Sequence, residues 1–268
     1  MSEQDIDASR APLLEHLIEL RQRLLYSIIA IAIAFGVCFY FADQVFNILL
    51  GPFEQAVGDA SEVKLIFTAP QEYFFTQLKL ALFGALFIAF PVLATQIYMF
   101  VAPGLYKNER GAFLPFLLAT PILFLMGASL VYFLIMPLAL GFFIGMEQTA
   151  GEGQAAIELL PRVSEYLGLT MTLIFAFGLC FQLPVLMTLL GRAGLISAAQ
   201  LRKGRKYAVV AVFAVAAILT PPDIISQLGL GIPTLVLYEI SILSVALIER
   251  RRKRDAEEKE AGEGETAT

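Results

Sequence analysis

Glu19 and Glu109 are carboxylates in places where this apolar chain has little reason to keep a charge. Glu109 lies in "GLYKNERGAF", residues 104–113, a short polar break between two long apolar runs, with Lys107 and Arg110 close by. If those runs cross a bilayer, so short a break stays at the membrane surface and its charges are only partly solvated. A carboxylate held there binds a guanidinium more firmly than one in bulk water, because Arg offers a planar fork for two parallel hydrogen bonds. Glu19 lies in "PLLEHLIELRQRLL". There Leu13, Leu17, Leu20 and Leu24 recur at three- and four-residue spacing, and Glu15, Glu19 and Arg23 share another face. From the residues alone, local pairing serves equally well: Glu109 with Lys107 or Arg110, and Glu19 with Arg23 one helical turn on. A pair of the latter kind contributes only about 0.2–0.5 kcal/mol.

The elements that must carry these groups follow from composition. The 268 residues are 58% hydrophobic and 16% charged, and several stretches reach the roughly 20 apolar residues that cross about 30 Å of hydrocarbon. The expected fold is all-α, a polytopic membrane protein with six spans at about 24 to 42, 78 to 102, 113 to 143, 165 to 190, 207 to 220 and 225 to 248. Pro115, Pro121 and Pro137 interrupt the over-long third span and predict a kink. The fifth is short. At 1.5 Å per residue it rises roughly 20 Å, less than a bilayer. An amphipathic cytoplasmic helix is expected over residues 1–23, a membrane domain over 24–248, and extracytoplasmic caps at about 43–77 and 146–164. The tail, 249–268, is charged and poor in apolar residues, and its composition predicts disorder.

Sixteen of the nineteen Lys and Arg residues fall in the N-terminal segment, the 103–112 and 191–207 loops and the C-terminal tail. The positive-inside rule then puts both termini in the cytoplasm. The acidic start "MSEQDIDASR" and the long first apolar run do not read as a cleaved signal peptide. Nucleic acid is not an expected partner of such a chain. Its two cysteines, Cys38 and Cys180, lie in apolar runs and suggest no disulfide framework. His16 is the only histidine, too few for a multi-histidine metal site, and no phosphate-binding glycine loop is present. No cofactor is expected. Polar groups within the apolar runs are Gln96, Gln182 and Glu239, with Asp223 and Gln227 near the tip of the last hairpin; such groups are costly in a bilayer and often functional.

Four segments in order, "HLIELRQRLL", "APGLYKNER", "FGLCFQLPV" and "LTPPDIISQ", resemble the TatC family, the large subunit of the twin-arginine protein translocase. The resemblance covers roughly residues 13–250. It implies a signal-peptide receptor of the bacterial cytoplasmic (inner) membrane, not an enzyme, which exports folded proteins using the proton motive force. The implied partners are the single-span subunits TatA and TatB, twin-arginine signal peptides, the lipid bilayer and further copies of the chain. Glu19 and Glu109 are then the carboxylates that meet the two arginines. Leu20, Arg21, Phe100, Pro103, Tyr106 and Arg110 fall within the same recognition motifs, and Pro52, Gln182, Asp223 and Gln227 are implied in assembly or partner contact. Where the family commonly has a glutamate in the fourth span, this chain has Gln182, which puts a proton-carrying role there in doubt.

A small-solute secondary transporter would also suit six spans with a few intramembrane polar groups, but it predicts inverted repeats that the sequence lacks. A membrane enzyme needs a cluster of titratable groups that these sparse residues do not supply. The charge distribution makes its own prediction: a reporter fused after Arg254 is protected on the cytoplasmic side, and a tag inserted between residues 150 and 156 is labelled from outside. A C-terminal tail labelled from outside the cell would overturn the orientation.

Overall fold

A computed structural model describes residues 3–58, 65–101, 114–148, 159–220 and 223–266. Among them all regular structure is helical: α1 (Glu3–Tyr40), α2 (Ala42–Val57), α3 (Pro70–Val101), α4 (Leu114–Leu130), a π turn (Val131–Ile135), α5 (Met136–Ile144), α6 (Val163–Cys180), α7 (Leu183–Arg192), α8 (Ala198–Leu219) and α9 (Ile224–Thr266). Extended backbone pairs Ile66 with Arg162 in a parallel bridge, in which Ile66 N–H donates to Pro161 O at 3.2 Å and Val163 N–H donates to Ile66 O at 2.9 Å.

Five of these stretches are long and apolar enough to cross a membrane: His16–Tyr40, Pro70–Phe100, Phe116–Ile144, Val163–Arg192 and Ile224–Arg252. The remaining expected span is the apolar half of α8. Its first half carries Arg202, Lys203, Arg205 and Lys206, so only Tyr207–Leu219 is free of charge, a rise of roughly 20 Å.

The chain folds as two compact units, residues 1–50 with 67–121 and residues 51–66 with 122–268. In the first, α1 lies along α3 through small residues: Ala34, Ala85 and Ala89 are buried together, with Ala30, Ile31, Phe35 and Leu93 around them. Cys38 is 2% exposed, and a Cβ on Gly84 would come within 2.9 Å of its Sγ. Lipid tails are as apolar as Leu, so helices in a bilayer associate by close backbone approach, which Gly and Ala permit. The large residues Leu24, Ile28, Ile29, Ile33 and Val37 face outward on α1, as a helix solvated by acyl chains requires.

Proline shapes the second unit. Pro137 has no N–H to give and its ring crowds the carbonyl four residues back. Where the sequence suggested a kink, the ladder widens into the π turn, and Met136 N–H donates to Val131 O. Pro184 acts more strongly. The fourth span, expected as one helix over 165–190, ends as α6 at Cys180 and restarts as α7 at Leu183, with Pro184 in the first turn of α7. Gln182 N–H reaches Leu179 O at 3.0 Å, and Leu186 N–H returns to Gln182 O at 2.9 Å.

Near the other end of this unit Ser197 and Gln200 form a reciprocal capping box that starts α8. Glu249 of α9 accepts from Ala198 N–H at 2.9 Å, and Tyr238 of α9 donates to Leu201 O at 2.9 Å. Beyond Glu249, α9 continues as helix to Thr266. Its Arg, Lys, Glu and Ala residues are strong helix formers, and Arg251 with Asp255 and Arg254 with Glu258 repeat at the four-residue spacing that supports a helix.

Gly127 of α4 and Gly178 of α6 mark a close approach of two helices in the second unit. A Cβ on Gly127 would lie 2.6 Å from Phe177 O, and one on Gly178 would lie 2.5 Å from the Phe124 ring. Backbone cannot yield as a side chain can, so Gly127→Val should lower stability by about 1–3 kcal/mol, read as earlier thermal unfolding in detergent, whereas Gly36→Val on α1, where a Cβ meets nothing within 4 Å, should change little.

Candidate functional site

The first unit brings Glu19 and its surroundings together at one end of the α1–α3 pair. Glu19 and Arg23 are one turn apart on α1, and Arg23 Nη2 donates to Glu19 Oε1 at 3.0 Å. The same guanidinium reaches across to α3, where its Nη1 lies 3.4 Å from Gln96 Oε1 and 3.4 Å from Met99 Sδ. Both side chains are partly covered, Arg23 at 26% and Glu19 at 31% exposure. Gln96, Met99 and Phe100 stand at three- and four-residue spacing, so they share a face of α3. Phe100 stacks on His16 of α1, ring centroids 4.3 Å apart at 18°. Thus α1 and α3 are joined here by the reach of Arg23 to Gln96 and Met99 and by a ring stack, in place of the small apolar residues used farther along.

Leu20 is 42% exposed, and Arg21 is exposed beside it. Leu17 and Leu24 are exposed as well, so Glu19 is bordered by apolar surface. A half-covered carboxylate beside apolar side chains suits a cationic peptide flanked by hydrophobic residues. Such a charge is less screened than one in open solvent. Pro103, Tyr106, Glu109 and Arg110 lie outside the described residues.

The other expected positions belong to the second unit. Pro52 is buried within α2, next to Phe53, whose ring packs 5.4 Å from that of Tyr166. Gln182 occupies the break between α6 and α7. Asp223 is buried at the start of α9, where its Oδ1 accepts from Ser226 N–H at 2.7 Å. Its carbonyl accepts from Gln227 N–H at 3.2 Å. In this structure Asp223 is therefore a helix cap.

Two contacts were only half legible in the sequence. Gln96 and Glu239 stood out as polar groups in apolar runs, but their partners, Arg23 and Arg205, are 73 and 34 residues away. Arg205 of α8 meets Glu239 of α9 at 2.6 Å, each about half exposed.

The family described as Sec-independent protein translocase protein (TatC) matches residues 15–233. The chain belongs to the TatC family. Among its relatives, the Sec-independent protein translocase protein TatC of Magnetococcus marinus is 48% identical over 94% of this chain and 90% of its own length. That of Aquifex aeolicus is 41% identical over 90% and 98%, and that of Escherichia coli K12 is 39% identical over 86% of each. A crystal structure of the twin arginine translocase receptor TatC superposes with a TM-score of 0.74 at 40% identity, covering 87% of this chain and 99% of that one. The protein is therefore a multi-span membrane component of a protein translocase, in a family of translocase subunits rather than enzymes, and the small-solute carrier is set aside.

The cap at α9 can be tested by itself. Removing a capping side chain costs about 1 kcal/mol. Asp223→Ala should therefore speed hydrogen exchange at the amides of residues 224–227, and Asp223→Asn should restore protection. Unchanged exchange in Asp223→Ala would show that the cap does not hold this end of α9.

Proposed function

We propose that this chain is the signal-peptide receptor and core subunit of the twin-arginine translocase, in a bacterial cytoplasmic membrane, with six crossings and both termini cytoplasmic. In this reading it works with TatA and TatB and with further copies of itself, and it passes folded proteins outward at the expense of the proton motive force. Glu19 and Glu109 receive the two arginines of the signal peptide. Leu20, Arg21, Phe100, Pro103, Tyr106 and Arg110 shape the surface around them, and Pro52, Gln182, Asp223 and Gln227 serve assembly or partner contact.

The observation that carries the proposal is the partly covered Glu19 carboxylate, anchored at the α1–α3 junction and bordered by exposed Leu17, Leu20 and Leu24. It already holds one guanidinium, that of Arg23, so its setting is suited to that group. Two guanidiniums need two acceptors, and Glu109, in the family motif "APGLYKNER", is the second. The crossing count and orientation rest on the Lys and Arg distribution.

Glu19→Ala and Glu109→Ala each remove one charge-assisted acceptor, and each should weaken binding of a twin-arginine precursor by about 1.5–3 kcal/mol, roughly 10- to 100-fold. Glu109→Arg should be worse than Glu109→Ala. A precursor whose arginine pair is replaced by lysines should bind more weakly to the unaltered chain, since Lys has no bidentate fork. Equal binding of the two precursors would remove this site from consideration.

A further inference from the structure

Arg23 occupies, on the described side of the site, the position that an incoming guanidinium would take. We propose that Arg23 is a built-in competitor for the Glu19 carboxylate, berthed by Gln96 and Met99, and that it sets the affinity threshold of the site for a cationic peptide. The inference rests on the reading above, in which Glu19 is an acceptor for a peptide arginine.

The geometry supports this in three steps. First, Arg23 lies on the same helix face as Glu19 and bonds it at 3.0 Å, so the pair closes without any movement of the backbone. Second, its other terminal nitrogen is directed at α3, 3.4 Å from Gln96 Oε1 and 3.4 Å from Met99 Sδ. The amide accepts hydrogen bonds without adding charge, and it holds the guanidinium in register with the carboxylate. Third, both charged side chains are partly covered, at 26% and 31% exposure. An empty Glu19 at the membrane edge would be an uncompensated charge, and Arg23 supplies the compensation when no ligand is present.

A second guanidinium arriving at Glu19 meets one of two situations. Either Arg23 gives up Glu19 and keeps its contacts on α3, or the two cations share one carboxylate and repel each other. The resident arginine lowers ligand affinity in both. A surface pair at i, i+4 is weak, and partial burial with an amide partner strengthens it; the corresponding affinity reduction is on the order of three- to sixfold. The same factor applies to every cation. Ligands with only one strong contact fall below useful occupancy, while a peptide that also engages a second acceptor stays bound. Arg23 is thus a positioning residue that acts through Glu19.

The test is a titration of a fluorescent synthetic twin-arginine signal peptide against the full chain in nanodiscs. Glu19→Ala, Arg23→Gln, Arg23→Lys and the Glu19→Ala/Arg23→Gln double variant complete the set. Arg23→Gln should tighten binding about three- to sixfold, and the gain should vanish in the Glu19→Ala background, because without the carboxylate there is nothing to compete for. Arg23→Lys should fall between, since one ammonium cannot bridge Glu19 and Gln96 as the fork does; it keeps the charge and serves as the decisive variant if Arg23→Gln does not accumulate. A merely structural Arg23 predicts the opposite sign, weaker binding with or without Glu19. Weakened or unchanged binding in the Arg23 variants, with Glu19→Ala still impaired, overturns the competitor and leaves the receptor site standing. No effect of Glu19→Ala overturns both.

Discussion

Hydrocarbon offers no hydrogen-bond partner, and the shape of this chain follows from that constraint. Where α-helix is regular the backbone satisfies itself; where proline interrupts it, the chain must find another arrangement or accept groups that cost several kcal/mol each. Pro137 is absorbed by a π turn in which Met136 N–H bonds to Val131 O. At Pro184 the helix stops and restarts, and the amide of Gln182 and its carbonyl are both reused, toward Leu179 O and from Leu186 N–H. Three buried hydroxyls follow the same rule: Thr170, Thr234 and Ser241 bond back to carbonyls one turn earlier on their own helices. The interior can then be filled by small apolar contacts, with Gly84, Gly127 and Gly178 among the glycines that permit close approach.

Charge is kept where that constraint relaxes. Glu19 and Arg23 lie at one end of the α1–α3 pair, and Arg205 and Glu239 join α8 to α9 at half exposure. Neither pair gains much as an ion pair alone. Their value lies in position. A carboxylate that already has a partner is tolerated near low dielectric, and it remains available to a cation that offers more contacts than the partner does.

Much of the helical architecture was legible in the sequence because apolar runs of bilayer length are a strong signal. The helical class, the apolar stripe of Leu17, Leu20 and Leu24 and the Glu19–Arg23 pair could all be read from run length and periodicity. The break at Cys180–Leu183 was missed although Pro184 was in plain view, because hydropathy counts Pro184 as one residue in a long apolar run. In the C-terminal tail two signals oppose each other: few apolar residues favour disorder, while helix propensity and four-residue charge spacing favour a helix. The partners of Gln96 and Glu239 were out of reach, since periodicity carries no information across 73 or 34 residues.

That last gap bears on how the site is understood. Read from the sequence, Glu19–Arg23 and a peptide-binding Glu19 were rival explanations, one local and bland, the other functional. The structure makes them compatible, because Gln96 and Met99 give Arg23 contacts of its own on α3. A guanidinium with no second contact would lose its whole setting on leaving Glu19; this one keeps part of it. The pair then has to be overcome by only that roughly three- to sixfold factor, which a peptide that also engages a second acceptor can supply.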